Sequence, residues 1–373
     1  MKICIVSGIF EPEIGGPAAY AARLAHELQQ LGNSVTVVTF SSAADARDAT
    51  RTYRVVRVSR GGKILNRIRF FFVSFKYIKE SDCVYMLDWF AAGLPASLAT
   101  RMAGKSYIVR IGGDYLWEQR YLESGKTPIA LGEFYYAGFY KHYPILYRVI
   151  RFVLRGASHV VFNSDIQRQM YEIHYGLHAT STIHNPIPEV VHVGARTGNK
   201  KEFVFWGRFI VMKNITSLVR AFARATIPGY TLALIGDGPS KPAITALVRE
   251  LNITGRVTIE PGLPRGEAFD RVKDSRAFIL PSWTDISPNQ VYESLALHLP
   301  ALVTKENYLS IRDQLPETID PGSVNDIAAK LEMLADDAKY KVFADEFTRI
   351  TYDWKWSDVV QAHVALFEKI TRV

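Results

Sequence analysis

The stretch Glu202–Arg224, EFVFWGRFIVMKNITSLVRAFAR, decides the fold. Glu202–Trp206 reads as a short apolar strand, Gly207 as a turn, and Ile215–Arg224 as a helix. This unit restarts a pattern that had stopped. Upstream, apolar runs with strand character alternate with amphipathic helical stretches until Asn185-Pro186-Ile187-Pro188 breaks the alternation. The upstream strands are Ile3–Ser7, Ser34–Phe40, Tyr53–Val58, Val84–Leu87, Ser106–Ile111 and His159–Asn163. Pro17–Leu31 is a helix with Tyr20, Leu24 and Leu28 on one face. Ile64–Ile78 is another, with an apolar stripe of Ile64, Ile68, Phe71, Phe75 and Ile78. Downstream, strands Tyr230–Ile235, Val257–Glu260, Ala277–Leu280 and Ala301–Thr304 alternate with helix Lys241–Leu251 and a helix opening at Ser287. Strand–helix alternation predicts parallel sheets built of βαβ units. The expected fold is therefore α/β, with two Rossmann-like doubly wound domains facing across a cleft. The expected boundaries are 1–187, a linker at 188–200, a second domain at 201–350, and a C-terminal helix within 351–373 whose placement the sequence leaves open, a return onto the first domain being one option.

A chain of 373 residues suits two domains, and 48% hydrophobic with 22% charged residues is a globular balance. The two cysteines, Cys4 and Cys83, sit in apolar runs and read as buried thiols. With the absence of zinc-type Cys/His spacing, they point to a reducing, cytoplasmic setting. The Met1–Gly8 stretch is a strand and turn rather than a signal peptide. No stretch has the ~20 apolar residues that cross a bilayer. The formal charge is +8, and the segment Arg51–Lys79 holds nine Lys/Arg and no acid. Such a run attracts phosphate-bearing partners.

Ligands of open α/β sheets bind beyond the carboxyl ends of strands, so the chemistry is expected in loops. Arg208 and Lys213 follow the strand Glu202–Trp206 and suit a diphosphate. In PSWTDISPNQVYESLALHLP (Pro281–Pro300), Ser287 reads as an N-cap, Pro288 as the first helical residue and Gln290 as the partner completing a capping box. That helix start is an anion site. Asp285 and Glu293 flank it, eight residues apart. Gly15-Gly16-Pro17 lies between the first strand and its helix, where backbone can approach a ligand. Its spacing is not G-x-G-x-x-G, which argues against a nicotinamide-dependent dehydrogenase.

In combination these pieces resemble the retaining family 4 (group 1) glycosyltransferases of GT-B fold. The resemblance runs through VVFNSDIQRQM (Val160–Met170), IHNPI (Ile183–Ile187), GRFIVMKN (Gly207–Asn214) and LALIGDGP (Leu232–Pro239). It ends on the pair Asp285 and Glu293, which matches the family's E-x7-E signature with Asp in first place. The resemblance implies that Arg208 and Lys213 bind the donor diphosphate and that Glu293 bonds the ribose. It implies that Asp285 contacts the donor sugar and that Ser287, Pro288, Asn289 and Gln290 surround sugar and phosphate. Gly262, in EPGLP (Glu260–Pro264), would meet the base, while Gly15 and Gly16 cover the phosphates. The family's first-domain His is absent, and Asp114 in VRIGGDYLWE is expected near the reacting centre, with Asp88 a weaker candidate. No D-x-D occurs, so neither metal nor cofactor is expected. The implied reaction moves a sugar from a nucleotide diphosphate sugar to a glycan or lipid-linked acceptor in cell-surface polysaccharide or glycolipid synthesis. Alternatives are a nucleotide-sugar 2-epimerase and a silent nucleotide-sugar binder.

On the acceptor side, the basic and aromatic helix within Arg51–Lys79 suits an anionic membrane surface, giving a peripheral location at the inner face of the cell membrane. The aromatic stretch Glu133–Leu154 lines an acceptor groove or packs helices. No nucleic-acid recognition module is visible.

Overall fold

A computed structural model describes residues 1–13, 15–41, 45–60, 62–189, 196–198 and 200–371. The side chains of Lys63 and Ile64 and most of the expected linker lie outside the described residues. The chain begins with β1 (Lys2–Ser7), α1 (Gly16–Gln30), β2 (Ser34–Phe40), β3 (Arg54–Val58) and α2 (Lys63–Lys79). It continues through β4 (Cys83–Met86), α3 (Gly93–Met102), β5 (Tyr107–Ile111), α4 (Leu131–Tyr136) and α5 (Pro144–Arg155). Then come β6 (His159–Phe162), α6 (Asp165–Tyr175) and β7 (Thr180–Thr182). The second half runs β8 (Glu202–Trp206), α7 (Ile215–Arg224), β9 (Thr231–Ile235), α8 (Lys241–Glu250) and β10 (Val257–Glu260). It proceeds with α9 (Arg265–Val272), β11 (Ala277–Leu280), α10 (Asn289–Ala296), β12 (Ala301–Thr304) and β13 (Thr318–Ile319). Three helices close the chain: α11 (Val324–Ala335), α12 (Asp337–Phe347) and α13 (Trp356–Thr371).

Two units form. The first comprises Met1–Leu116, Phe139–His184 and Trp356–Val373; the second comprises Trp117–Gly138 and Asn185–Lys355. The first is built on a parallel sheet of order β3-β2-β1-β4-β5-β6-β7, the second on one of order β10-β9-β8-β11-β12-β13. Both are doubly wound α/β units. Strands β4, β5, β11 and β12 are buried at every position, as parallel strands covered on both faces must be. Continuity along the chain puts residues 117–138 with the first domain, but they pack with the second unit. Leu131 N–H donates to Thr284 Oγ1 at 2.9 Å, and a Cβ on Gly132 would lie 3.3 Å from Tyr308 Oη. The aromatic stretch Glu133–Leu154 is thereby divided between the units.

In the first unit α2, α3, α5 and α6 stand side by side in that order, while α1 contacts α13. Helix α13 is held through a buried histidine. His363 Nδ1–H donates to Val359 O at 2.6 Å, so Nε2 accepts from Tyr85 Oη–H at 2.6 Å. Burial first, and the Arg110 guanidinium second, push the His363 imidazole down to about 3. Cys4 and Cys83 are unpaired and buried on adjacent strands, and burial pushes both thiols up to about 12.

Two expectations for the basic segment change. Among the described side chains of α2 the fully buried ones are Phe70, Ser74 and Ile78, whereas Ile68 is 50% exposed. The buried line follows i, i+4, i+8 and is offset from the stripe expected through Ile68. The acid-free run is not free of acids in space. Arg51 pairs with Glu11 and Asp48, Arg57 with Asp48 and Asp45, and Arg60 with Glu13. No helix among the described residues is long and apolar enough to cross a membrane.

Candidate functional site

In the second unit the winding reverses between β8 and β11: β8 leads outward to β9 and β10, and β11 leads to β12 and β13. A crevice opens at such a switch point, beyond the carboxyl ends of the strands. The loops after β8 and β11 flank it, the β9 loop packs beside the β8 loop, and the β10 loop packs beside that of β9.

Glycines make the loops fit. Gly236 and Gly238 both adopt φ 151°, and a Cβ at those positions would lie 1.9 Å from Gly207 O and 2.5 Å from Phe209 O. Only glycine allows that approach and that backbone angle. The two loops then bond: Phe209 N–H donates to Asp237 O (2.8 Å), and Ser240 N–H to Phe209 O (2.9 Å). Gly262 lies against Gly236, with its Cβ position 3.9 Å from the Gly236 Cα. Gly207, at φ 144°, faces the first turn of α10, and a Cβ there would meet Gln290 Nε2 at 2.9 Å.

Lys213 and Asp285 are brought together. The ammonium lies 2.9 Å from both carboxylate oxygens, and the side chains are 8% and 6% exposed. Lys213 closes a short 3-10 turn, Val211–Lys213. Asn214 follows in left-handed conformation (φ 52°), its side-chain amide donating to Pro281 O and Pro321 O. Asp285 is fixed through its backbone, donating to Glu306 O and accepting from Tyr308 N–H. Arg208, by contrast, is exposed and forms no ion pair among the described residues.

The capping box expected at Ser287 is not formed. Helix α10 begins at Asn289 with Pro288 as its N-cap, and no side chain caps it. Ser287 is buried, its carbonyl and hydroxyl accepting from Asn185 Nδ2 at 3.0 and 3.3 Å. Pro288 itself takes the N-cap position in extended conformation (φ −70°, ψ 123°), which leaves Ser287 one residue too early to cap the helix. Amide groups at the start of α10 thus remain available to an anion.

Glu293 is not a solvated surface acid. Its side chain is 14% exposed, Trp206 Nε1–H donates to Oε2 at 3.1 Å, and Arg265 Nε lies 3.3 Å from Oε1. Burial raises its carboxyl above the usual carboxylate range, with Arg265 and Trp206 partly offsetting this. Trp206 and Arg265 escaped sequence reasoning because one reads as strand core and the other as an ordinary helix-opening cation.

In the first unit, Gly15 is the N-cap of α1 and Gly16 its first residue, with no capping side chain. Asp114 is buried and accepts from Tyr171 Oη–H at 2.7 Å, while Gln167 Nε2 donates to Gly113 O. Asp88 is a structural acid. Its carboxylate accepts from the backbone N–H groups of Phe90, Ala91 and Ala92 at 2.7–2.8 Å, which leaves it little capacity for a ligand.

Residues 14–189 match the profile of Glycosyltransferase Family 4, and residues 188–348 that of Glycosyl transferases group 1. An uncharacterised glycosyltransferase of Methanocaldococcus jannaschii is 34% identical over 109 residues, 28% of this chain and 26% of that protein. The match thus spans about a quarter of that relative's length. The fold is similar to sucrose-phosphate synthase from Thermosynechococcus elongatus, at 16% identity and TM-score 0.78, covering 100% of this chain and 99% of that one. It is also similar to HepE of Anabaena in complex with UDP-glucose (14%, TM-score 0.77, 99% and 100%). The lipopolysaccharide outer core galactosyltransferase WaaB is a further likeness (17%, TM-score 0.67, 99% and 100%).

Proposed function

Since the chain belongs to the family 4, group 1 glycosyltransferases of GT-B fold, we propose that it transfers a sugar, with retention, from a nucleotide diphosphate sugar to a glycan or lipid-linked acceptor. The observation that carries this reading is the uncapped start of α10 at the β8–β11 switch point, beside the buried Lys213–Asp285 pair. It combines free amide donors with an ammonium held by Asp285, where a leaving diphosphate gathers charge.

In this reading Arg208, Lys213 and the α10 amides stabilise the diphosphate as the bond from the anomeric carbon to the phosphate oxygen breaks. That bond's electron pair leaves with the nucleotide. The acceptor hydroxyl oxygen bonds to the anomeric carbon on the same face, and its proton passes to the departing phosphate. No covalent enzyme intermediate and no metal are required. Glu293, held by Trp206, receives the ribose hydroxyls; Asp285 contacts the sugar; Gly262 meets the base. Gly15, Gly16 and Asp114 take the phosphate and sugar roles that their resemblance to the family implies. The UDP-glucose complex of HepE makes UDP-sugars the first donors to try. The acceptors proposed are those of polysaccharide or glycolipid synthesis, met at the cytoplasmic face of a membrane that α2 approaches through Arg67, Arg69, Lys76 and exposed Phe72.

The test is a thermal-shift panel of UDP-, GDP- and ADP-sugars followed by turnover with saccharide and lipid-linked acceptors, with and without EDTA. One donor should stabilise the protein and turn over undiminished in EDTA. Glu293→Ala should weaken nucleotide binding, and Asp285→Ala should abolish transfer while nucleotide still binds. Binding without any turnover would favour a silent binder, and release of a 2-epimer an epimerase.

A further inference from the structure

On the first unit, α3 and α5 border an open, shallow pocket of about 440 Å³ lined by Arg101, Arg148, Arg151, Phe152, Arg155 and Gly156. Arg148, Arg151 and Arg155 fall at helical spacings of three and four, so they share one face of α5. Arg101 reaches them from α3. Its guanidinium lies over the Phe152 ring at 4.1 Å and donates to Phe152 O at 3.0 Å. It occupies the space that a Cβ on Gly156 would fill, 1.6 Å from its Nη2.

Four arginines converging without an acid call for a counter-charge. Like charges three and four apart destabilise a helix, and no Asp or Glu occurs between Phe134 and Ser164 to relieve them. None of the four forms an ion pair among the described residues. Other arginines of the same unit do find acids: Arg51, Arg57, Arg60 and Arg168 are all paired. Apolar side chains from the same two helices surround the pocket residues in sequence and stand in solvent, Met102 70% and Ile145 76% exposed. Guanidinium groups favour phosphate oxygens through bidentate hydrogen bonds. Aliphatic side chains beside them suit acyl chains rather than the stacked bases of a nucleic acid.

We propose that this pocket binds the phosphate of an anionic lipid headgroup at a bilayer surface, with Met102 and Ile145 entering the interfacial layer. It is a surface distinct from the face of α2 invoked above, and it holds whatever sugar the protein transfers.

The experiment is vesicle flotation of the full-length protein, using phosphatidylcholine with and without phosphatidylglycerol. Phosphatidylglycerol should recruit the parent. Arg148→Gln/Arg151→Gln/Arg155→Gln should bind these vesicles on the order of a hundredfold more weakly, from roughly fivefold per arginine near an anionic surface. Circular dichroism and the thermal midpoint verify its fold, and Arg151→Gln alone, expected about fivefold weaker, serves if the triple variant does not fold. Ile145→Asp should weaken the binding that persists at high salt. A parent indifferent to phosphatidylglycerol, or a triple variant that floats like the parent, overturns the proposal. So does an equal loss in Arg220→Gln/Arg224→Gln/Arg249→Gln, three exposed cations of the second unit, which would mean general charge attraction. Displacement from vesicles by millimolar inorganic phosphate would show a free-anion site, and arginine-dependent RNA binding without vesicle binding a nucleic-acid surface; either result overturns the lipid assignment.

Discussion

Removing one partner of the Lys213–Asp285 pair should cost far more than removing both. The ammonium sits 2.9 Å from each carboxylate oxygen, and both side chains are less than a tenth exposed. In such a site the mutual attraction and the loss of hydration nearly cancel, so an apolar pair of similar volume is about as stable. A single deletion leaves an uncompensated buried charge, at a cost of about 3–5 kcal/mol. Lys213→Met and Asp285→Leu should each lose about that much, and Lys213→Met/Asp285→Leu should fall well below their sum. The assay is urea unfolding followed by tryptophan fluorescence, with the slope compared so that a midpoint shift reports stability. All three variants should fail to transfer sugar. A double variant that regains stability without activity would mean that the pair is kept for chemistry rather than for folding. A single variant costing less than about 1 kcal/mol, or strict additivity of the two, would refute the argument, because either means that the charges are not mutually compensating.

His363 gives a pH prediction. Its imidazole is pushed from the ordinary 6.5 down to about 3, so the unfolded chain takes up the proton first. Its contribution to stability is present above pH 6.5 and is lost as pH falls toward 3, with about 2 kcal/mol gone by pH 5. Unfolding free energies between pH 7 and pH 4 should show this slope, and His363→Gln should flatten it; an unchanged slope rules it out. Trp206→Phe removes the indole donor to Glu293. A hydrogen bond to a charged group is worth about 1.5–3 kcal/mol, so UDP affinity should drop about tenfold or more by isothermal titration, with turnover at saturating donor retained. Unchanged affinity would remove Trp206 from the site.

The alternation of strand and helix was legible because each element's period is local: most strands were expected within one or two residues of where they lie. The loops after β8, β9 and β11 were legible as a site for a related reason, since ligands gather at strand carboxyl ends whatever the rest of the chain does. The cap at Ser287 was misread although its signals were also local. Its hydroxyl is taken by Asn185, over a hundred residues away, and a local capping rule cannot weigh a distant competitor. Part of the Arg51–Lys79 run is relieved in the same way, because Glu11, Glu13, Asp45 and Asp48 return to pair with Arg51, Arg57 and Arg60.

By itself the sequence determined two doubly wound units, a restart after Asn185–Pro188, and the loops in which cations, acids and glycines gather. Those follow from periodicity and turn chemistry, which depend on neighbours in the chain. Tertiary structure alone decided that Lys213 and Asp285 neutralise one another, that Trp206 and Arg265 hold Glu293, and that residues 117–138 join the second unit. It also decided that four arginines from two helices share one unrelieved pocket. Each of these depends on groups far apart in sequence whose proximity is set by packing, and charge and desolvation act on distance in space.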